Sequence, residues 1–166
     1  MAQSVTGSVK ILTVSDGVAN GTREDKSGPR LQEFFEQHGW TVVSQSAVAD
    51  GREVVAEGLH RLVKDFHGLI VTTGGTGFGP RDLTPEATRD VIEREAPGLA
   101  EAMRLVNPLG RLSRGIAGTC GHALIVNSPG SSKGCVETVG AIIDIVGHAV
   151  KLLVDNADPH PVGESG

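Results

Sequence analysis

The stretch LIVTTGGTGFGPRDLTPE, residues 69–86, restricts the possible folds of this chain more than any other. It begins with a short apolar run rich in β-branched residues, which is typical of a buried strand. Thr84 and Pro85 near its end supply a helix N-cap residue and a proline suited to the first helical turn. Between these two parts stand four glycines, Gly74, Gly75, Gly77 and Gly79. The stretch therefore predicts a strand, a glycine-rich loop and a helix in direct succession.

This glycine-rich loop is suited to binding an anion. Glycine permits positive φ angles and lets backbone N–H groups approach a phosphate without obstruction by a Cβ atom. The loop has no lysine and lacks the GxGxxG spacing, so it is neither a P-loop nor a dinucleotide fingerprint. A tight turn that merely requires glycine is the alternative. The neighbouring Arg81 and Asp82 favour a ligand site, because a cation beside a carboxylate is expected where phosphates and Mg²⁺ meet, although such pairs also occur on ordinary loops.

Length and composition limit the class of protein. The 166 residues suffice for a single domain, expected at 1–157, and the tail 158–166 is expected to be disordered. A net charge of -5 and an aromatic content of 3% argue against nucleic-acid binding. The two cysteines are too few for a disulfide framework. With no apolar run of membrane length and no signal-peptide pattern, we expect a cytoplasmic protein without a membrane partner.

Apolar runs and their periodicity predict the other elements. Strands are expected at 9–14 and 41–48, and a hairpin hinged at Gly121-His122 within 112–127. Because strands alternate with helices, we expect an α/β fold, a three-layer α/β/α sandwich around a mostly parallel sheet. Gly140 and Gly147 in the last helix are expected to permit close approach of another element. Helices are expected at 27–38, 52–66, 85–95, 97–106 and, without interruption, 133–156, and a mobile loop at 18–26.

Ligands of parallel α/β sheets bind outside the carboxyl ends of the strands. Four predicted strand ends have polar or glycine-rich loops, and we expect all four at one edge of the sheet. The last loop leads through Ser131 and Ser132 into a helix, whose N-terminus is a second place able to receive an anion. The four loops are residues 15–17, 50–51, 72–82 and 128–132.

Three carboxylates, Asp16, Asp50 and Asp82, belong to these loops. By themselves they would repel a phosphate, whereas a bridging Mg²⁺ removes that conflict. From the residues alone we therefore infer an ATP-dependent phosphoryl or nucleotidyl transfer. No Ser-His-Asp or Cys-His pairing stands out, so a covalent nucleophile is not expected.

Specific motifs extend this interpretation. The motifs are VSDG at 14–17, DKSG at 25–28, TGGTGFGPRDLTPEA at 73–87, EAPG at 95–98, SRGIAG at 113–118 and the Pro129-Gly130 turn. With these motifs the chain, from Val9 to about Leu153, resembles the MogA/MoaB family of molybdenum-cofactor biosynthesis, which is related to the G domains of plant Cnx1 and human gephyrin.

The resemblance implies a molybdopterin-binding domain, commonly a trimer. It implies that AMP is transferred from Mg-ATP to the terminal phosphate of molybdopterin with release of pyrophosphate. Mg²⁺ is then the cofactor and ATP and molybdopterin are the substrates, and hand-over of the product to a molybdate-insertion protein stays open. Because the acceptor phosphate is already anionic at neutral pH, positioning and charge neutralisation would suffice without a strong general base.

The resemblance also indicates the catalytic residues. Asp82, by motif identity, and Asp50, by its place after the second strand, correspond to the family's essential aspartates, and both are expected to hold Mg²⁺ or the transferring phosphates. The other residues expected to bind ligand are Ser15, Asp16, Gly74, Gly75, Thr76, Gly77, Arg81, Ser113, Arg114, Ser128, Pro129, Gly130 and Ser131.

Two other functions stay open. The first is a non-catalytic molybdopterin-binding or scaffolding module, because some relatives keep the fold without measurable adenylylation; the presence of both Asp50 and Asp82 favours an enzyme. The second is a nucleotide-pyrophosphate hydrolase, as in the related competence-damage-type domain, which a single-domain length does not favour. Apolar surface on the long last helix and on the helix at 97–106 is expected to support trimerisation.

Overall fold

The computed structural model describes residues 5–154, which form one six-stranded sheet with helices on both faces. A 3₁₀-helix at Pro108–Leu112 precedes the fifth strand. The strands are β1 (Ser8–Val14), β2 (Thr41–Val48), β3 (Gly68–Thr73), β4 (Arg94–Glu95), β5 (Ala117–Cys120) and β6 (Ala123–Ser128). The α-helices are α1 (Asp16–Ala19), α2 (Ser27–Gln37), α3 (Arg52–Val63), α4 (Thr84–Val91), α5 (Pro97–Leu105), α6 (Ser132–Gly140) and α7 (Ile143–Leu152).

The strands lie in the order β2-β1-β3-β6-β5-β4. β1 is parallel to β2 and β3, and β3 is parallel to β6, so that Ile11 lies opposite Val71 and Val71 opposite Val126. β5 pairs antiparallel with β6 and with β4. The predicted mostly parallel α/β sheet is therefore confirmed, and so is the hairpin, whose strands β5 and β6 meet at Gly121-His122.

The sheet separates two hydrophobic cores. On one face, α2, α5, α6 and α7 bury residues such as Phe35 and Val139 against Val71. On the other face, α3 and α4 bury residues such as Leu59 against Ile70. Ile70 and Val71 are neighbours in β3 and point to opposite faces, and both are fully buried, as expected of a central parallel strand. The three-layer sandwich follows from this arrangement.

The helix predicted at 85–95 is wrong in its second half. α4 ends at Val91, and the next residue, Ile92, is extended. Glu93 then donates a backbone hydrogen bond to Thr119 O at 2.7 Å, which begins the pairing of β4 with β5. Gly118 permits this pairing, because a Cβ there would lie 2.6 Å from a carbonyl oxygen of β4. Pairing with a distant strand thus overrides the helical periodicity.

The single long helix predicted for the C-terminal part is also wrong. It is two helices, α6 and α7, which are separated at Ile142. Ile142 has φ -122° and ψ -2° and is fully buried, so the break places this side chain in the core. Gly147 permits close approach as expected, since a Cβ there would lie 1.6 Å from Val5 O, whereas at Gly140 the nearest atom is an aromatic carbon at 3.9 Å.

Three smaller differences concern element ends. The segment predicted as a loop at 18–26 begins inside α1, because Ser15 caps that helix by accepting a hydrogen bond from Val18 N at 3.3 Å. The helix predicted at 52–66 ends at Val63, where Lys64 becomes extended. The hairpin strands begin at Ala117 rather than near 112, since the preceding segment contains the 3₁₀-helix. The expected tail, 158–166, lies outside the described residues. None of the helices in residues 5–154 has the length and apolarity needed to cross a membrane.

Candidate functional site

The carboxyl ends of β1, β2, β3 and β6 lie at one edge of the sheet, because these four strands are parallel. The loops that follow them are in direct contact. Ser15 N donates a hydrogen bond to Val48 O at 3.0 Å, and Gly74 N donates one to Ser128 O at 3.1 Å. The expected convergence of the four strand ends is therefore confirmed.

Two glycines after β3 have conformations that other residues rarely adopt. Gly74 has a φ of +104° and Gly75 a φ of +67°. A Cβ at Gly74 would lie 2.2 Å from Val14 O, and a Cβ at Gly75 would lie 2.2 Å from Thr84 Oγ1. Both positions therefore require glycine, for conformation and for space.

Thr84 and Arg114 hold the carbonyl groups of the glycine-rich loop. Thr84 donates to Gly74 O from its hydroxyl at 2.9 Å and to Gly75 O from its backbone N–H at 3.1 Å. Arg114 donates to the next two carbonyl oxygens, from its backbone N–H at 2.8 Å and from Nε at 2.7 Å. The four consecutive carbonyl oxygens are thus occupied by protein donors.

The N–H groups of Gly75, Thr76 and Gly77, in contrast to the carbonyl groups, have no hydrogen-bond partner among the described residues. Successive backbone N–H groups in a glycine-rich turn form a concave site for an anion. Because the carbonyl groups are held away by their own donors, this loop is able to receive a phosphate through its amides.

A buried polar network supports both ends of the loop. Asn127 Nδ2 donates to Thr72 Oγ1 at 3.0 Å and to Thr88 Oγ1 at 2.9 Å. The Thr88 hydroxyl in turn donates to Thr84 O at 2.8 Å. The network joins β3, β6 and α4, and its side chains are buried and paired with one another. The start and the end of the loop are therefore fixed relative to each other.

Asp50 lies beside the glycine-rich loop. Its Oδ1 is 3.3 Å from the position that a Cβ would take at Gly75. Its Oδ2 accepts a hydrogen bond from Asp16 N at 2.9 Å, and its own N–H donates to Asp16 Oδ1 at 3.1 Å. Burial raises the pKa of Asp50, and the charges of Asp16 and Asp82 raise it further. Asp50 and Asp82 are thus close enough for their charges to interact.

Arg81 connects Asp16 with Asp50. Its Nε and Nη2 donate to the Asp16 carboxylate at 2.7 and 2.9 Å, and Nη2 also donates to Asp50 O at 2.9 Å. The hydrogen bond from Arg81 lowers the pKa of Asp16 below its ordinary value. These contacts join the loops that follow β1, β2 and β3.

Asp82 lies at the end of the glycine-rich loop. Its Oδ2 accepts a hydrogen bond from Gly79 N at 2.9 Å and lies 3.0 Å from the position of a Cβ at Gly77. Arg114 donates to the Asp82 carbonyl oxygen and to both carboxylate oxygens of Glu86, at 2.7 and 3.1 Å. The Arg114 side chain therefore acts on the loop and on α4.

A pocket of about 550 Å³ opens beside this loop. Its walls come from the glycine-rich loop, α5, the 3₁₀-helix, the turn at 129–131 and α6. Such a volume is typical of small-molecule sites. The predicted site residues that line the pocket are Gly75, Thr76, Gly77, Asp82, Ser113, Pro129, Gly130 and Ser131.

The other predicted site residues lie next to the pocket without lining it. Ser15 caps α1, and Ser128 is fully buried and donates its hydroxyl to Thr72 O at 2.7 Å. Gly74 and Arg114 belong to the support of the loop, and Asp16, Asp50 and Arg81 form the adjoining network described above.

The pocket also contains polar residues that the sequence analysis did not select. Arg104 donates to Gly115 O at 2.6 Å, and Asn107 Nδ2 donates to Glu137 Oε1 at 2.9 Å. Lys133 lies in the first turn of α6. From the sequence, the helix at 97–106 is expected to supply apolar surface for trimerisation, and no site residue is assigned to it. Two polar residues three positions apart, Arg104 and Asn107, were a signal that this end of the helix also faces a site.

The side chains around the loop determine whether the site can hold a metal ion. Within residues 5–154, no group of three or more His, Cys, Asp or Glu side chains is arranged to hold a metal ion. Mg²⁺, however, commonly binds one or two carboxylates and completes its coordination with substrate phosphate oxygens and water. Asp50 and Asp82, which lie against the loop that presents the free amides, fit a Mg²⁺ ion that arrives with a phosphate substrate.

Comparison with known sequences gives consistent matches. Residues 10–148 match the family model of a probable molybdopterin binding domain. The chain is 34% identical over 155 residues to a molybdopterin adenylyltransferase of Helicobacter pylori, and the match covers 89% of this chain and 88% of the relative. It is 38% identical over 152 residues to the molybdenum cofactor synthesis protein cinnamon of Drosophila melanogaster. That match covers 88% of the chain but only 25% of the relative, so the chain spans a quarter of that protein's length.

A solved structure agrees with these matches. The molybdopterin biosynthesis enzyme MoaB from Thermus thermophilus is similar to this chain with a TM-score of 0.83 and 41% sequence identity. The similarity covers 88% of this chain and 95% of that structure.

Proposed function

The chain belongs to the MogA/MoaB family of molybdopterin-binding domains and to molybdenum cofactor biosynthesis, and from that membership we propose that it is a molybdopterin adenylyltransferase. In this reaction an oxygen of the terminal phosphate of molybdopterin attacks the α-phosphorus of ATP. A new phosphoanhydride bond forms as the bond between the α- and β-phosphates breaks, and pyrophosphate leaves with the bonding electron pair.

The observation on which this proposal rests is the hydrogen bonding of the glycine-rich loop. Its carbonyl oxygens from Gly74 to Gly77 are occupied by Thr84 and Arg114, and the amides of residues 75–77 have no acceptor within the described residues. Fixed N–H donors beside a transferring phosphate stabilise the charge that develops on it in the transition state. They need not reorganise during the reaction, because the buried network below already holds them.

Asp50 and Asp82 are the proposed catalytic residues. When bound at these carboxylates, Mg²⁺ would neutralise charge on the phosphates of ATP. Asp50 reaches the loop near Gly75 and Asp82 near Gly77, so the two carboxylates would hold the ion on the phosphates that the amides bind. Burial raises the pKa of Asp50 and the charges of Asp16 and Asp82 raise it further, so a bound cation would favour its ionised form.

The chemistry of the acceptor explains why the site needs no strong base. The attacking phosphate oxygen is already anionic at neutral pH, so no proton has to be removed from it. A covalent intermediate on cysteine is not part of this proposal, because burial raises the pKa of Cys135 to about 11 and also raises the pKa of Cys120. Binding, orientation and charge neutralisation then supply the rate enhancement.

A homotrimer remains part of the proposal. It is supported by large apolar side chains that are exposed in a single copy, on both elements where apolar surface was expected: Leu105 at the end of α5 and Ile145 in α7, which are 79% and 49% exposed. We expect analytical ultracentrifugation to give a trimer mass. A monomer mass throughout the concentration range would contradict this part of the proposal. Hand-over of the product to a molybdate-insertion protein also stays part of the proposal.

The reaction is tested by incubating the purified protein with molybdopterin, ATP and Mg²⁺ and following adenylyl-molybdopterin and pyrophosphate by mass spectrometry. We expect product from the wild type and about 100-fold less from Asp82→Asn, because one electrostatic group at a transferring phosphate typically contributes that much. Molybdopterin binding without product would favour the non-catalytic module. ATP consumption without an adenylated pterin would favour the pyrophosphate hydrolase.

A further inference from the structure

Asp16 and Asp50 bind each other through backbone and side chain in both directions. Asp16 N donates to Asp50 Oδ2 at 2.9 Å, and Asp50 N donates to Asp16 Oδ1 at 3.1 Å. Each carboxylate is thereby tied to the backbone of the other loop. This reciprocal pair fixes the orientation of the Asp50 side chain relative to β1 as well as to β2.

Arg81, in the loop that follows β3, binds both members of this pair. Its planar guanidinium binds both carboxylate oxygens of Asp16, and Nη2 also binds the carbonyl oxygen of Asp50. Three hydrogen bonds from a single planar group define position and angle, which a lysine ammonium cannot reproduce.

Asp16, Arg81 and Asp50 all lie beside the pocket without lining it. Asp16 and Arg81 bind each other and Asp50 through the hydrogen bonds given above. We infer that Asp16 and Arg81 are positioning residues that hold the carboxylate of Asp50 toward the transferring phosphates, rather than residues that bind the substrate. The inference rests on the proposed function for the role of Asp50, but the arrangement itself belongs to the free protein.

The arrangement is tested first without any substrate. Hydrogen exchange with water at the amides of Asp16 and Asp50 is measured by NMR in the wild type and in Arg81→Lys. We expect exchange at both amides to become at least about 10-fold faster in the variant, since loss of the guanidinium frees the pair. The matched control is Arg89→Lys, which alters the exposed Arg89–Glu95 ion pair elsewhere and is expected to leave both amides unchanged.

The amide of Val71 in the central strand reports whether the variant is folded. Equal exchange at Asp16 and Asp50 in the wild type and Arg81→Lys, with Val71 protected, would overturn the inference. If Arg81→Lys loses protection at Val71 as well, Asp16→Asn replaces it, because Asn keeps an acceptor for Asp50 N but loses the charge that binds Arg81. Faster hydrogen exchange at the Asp50 amide would then support the inference, and unchanged exchange at that amide would overturn it.

Kinetics distinguish positioning from direct substrate binding. We expect Asp16→Asn and Arg81→Lys to lower kcat and raise the Mg²⁺ concentration for half-maximal rate by similar factors, about 10- to 100-fold, with the KM for molybdopterin unchanged. The double variant is expected to be no worse than either single variant, since both act through Asp50. If instead Arg81→Lys raises the KM for ATP and Asp16→Asn does not, Arg81 binds substrate and the inference is wrong.

The two kinds of measurement separate this inference from the proposed function. If the wild type forms no adenylyl-molybdopterin while the amides respond to Arg81→Lys as expected, the proposed reaction fails and the positioning arrangement stands. If product forms and neither the amides nor the Mg²⁺ dependence respond, the reaction stands and the positioning role fails.

Discussion

Arg114 and Glu86 form a bidentate ion pair next to the glycine-rich loop, with Nη1 of Arg114 2.7 Å from one carboxylate oxygen of Glu86 and Nη2 3.1 Å from the other. The same guanidinium donates from Nε to Gly77 O and from Nη2 to Asp82 O. Arg114 was expected to bind ligand, and its donors instead hold the loop that presents the free amides. We propose that its contribution to ligand binding is indirect.

Glu86→Gln tests this pair through stability. The hydrogen bond from Arg114 lowers the pKa of Glu86, so the pair stabilises the fold above the unfolded pKa of about 4.5 and loses that effect as the pH falls through the lower folded pKa. We expect the variant to be less stable than the wild type by about 1 kcal/mol at pH 7, and this difference to be smaller at pH 3, below the unfolded pKa. Urea unfolding at both pH values measures this difference. An equal deficit at pH 3 would show that charge is not the cause.

Thr84→Val tests the hydroxyl that holds the loop. Thr84 is fully buried, and valine has nearly the same shape but cannot donate to Gly74 O. We expect a loss of about 1–3 kcal/mol of unfolding free energy, because a buried carbonyl oxygen loses its donor, together with weaker ATP binding. Thr84→Ser keeps the hydroxyl and is the control. If both variants bind ATP equally, the hydroxyl does not position the loop.

Gly74→Ala tests the close approach of the loop to β1. Gly74 has a φ of +104° and a Cβ there would lie 2.2 Å from Val14 O. Gly21→Ala is a matched control, since Gly21 has a φ of +81° and a Cβ there would meet nothing within 4 Å. We expect about 1 kcal/mol of destabilisation for Gly21→Ala from backbone strain alone and at least about 2 kcal/mol more for Gly74→Ala. Chemical unfolding measures both, and similar values would contradict the clash.

Asp50→Asn separates the effect of the Asp50 carboxylate on stability from its effect on the reaction rate. Because burial and the charges of Asp16 and Asp82 raise the pKa of Asp50, its protonated form favours folding, and that stability is lost as the pH rises through the folded pKa. At pH 7 without Mg²⁺ we expect the variant to be more stable than the wild type, and below pH 3.8 equally stable. Its adenylylation rate is expected to be about 100-fold lower. A less stable variant at pH 7 would contradict the direction of the pKa shift.

The cysteines are expected to differ in reactivity toward thiol reagents. Cys135 is fully buried with a pKa of about 11, whereas Cys120 is half-buried and its pKa is raised by burial and by Glu93. At pH 8 we expect slow labelling at Cys120 and none at Cys135 in the native state, with both labelled in urea. Mass spectrometry of the labelled protein measures this, and Cys120→Ser is the control that should abolish native labelling.

Much of the architecture follows from local sequence pattern. The run from Leu69 to Thr73 is apolar and β-branched, the glycines after it permit a turn that few other residues allow, and Thr84-Pro85 begins a helix. Each of these signals is a property of a few adjacent residues, and none depends on distant contacts. The alternation of such units was therefore sufficient to predict a parallel sheet with its loops at one edge.

The failures have a common physical origin in distant contacts. Residues 92–95 have helical periodicity, but the hydrogen bond from Glu93 to Thr119 and the space left by Gly118 make them an edge strand. The last helix breaks at Ile142, and the break places that side chain in the core among residues from distant parts of the chain. No window of neighbouring residues contains either cause.

The same division applies to the site. The sequence by itself determined which residue types meet at the edge of the sheet, because parallel strands bring their carboxyl ends together whatever the details of packing. Only the tertiary structure decided what each polar group does there. Arg81 and Arg114 are both cations that the sequence analysis assigned to the same site. In the structure Arg81 binds Asp16 and the carbonyl oxygen of Asp50, whereas Arg114 binds carbonyl oxygens of the glycine-rich loop. Hydrogen bonds depend on distance and angle between groups far apart in the chain, and those quantities exist only once the chain is folded.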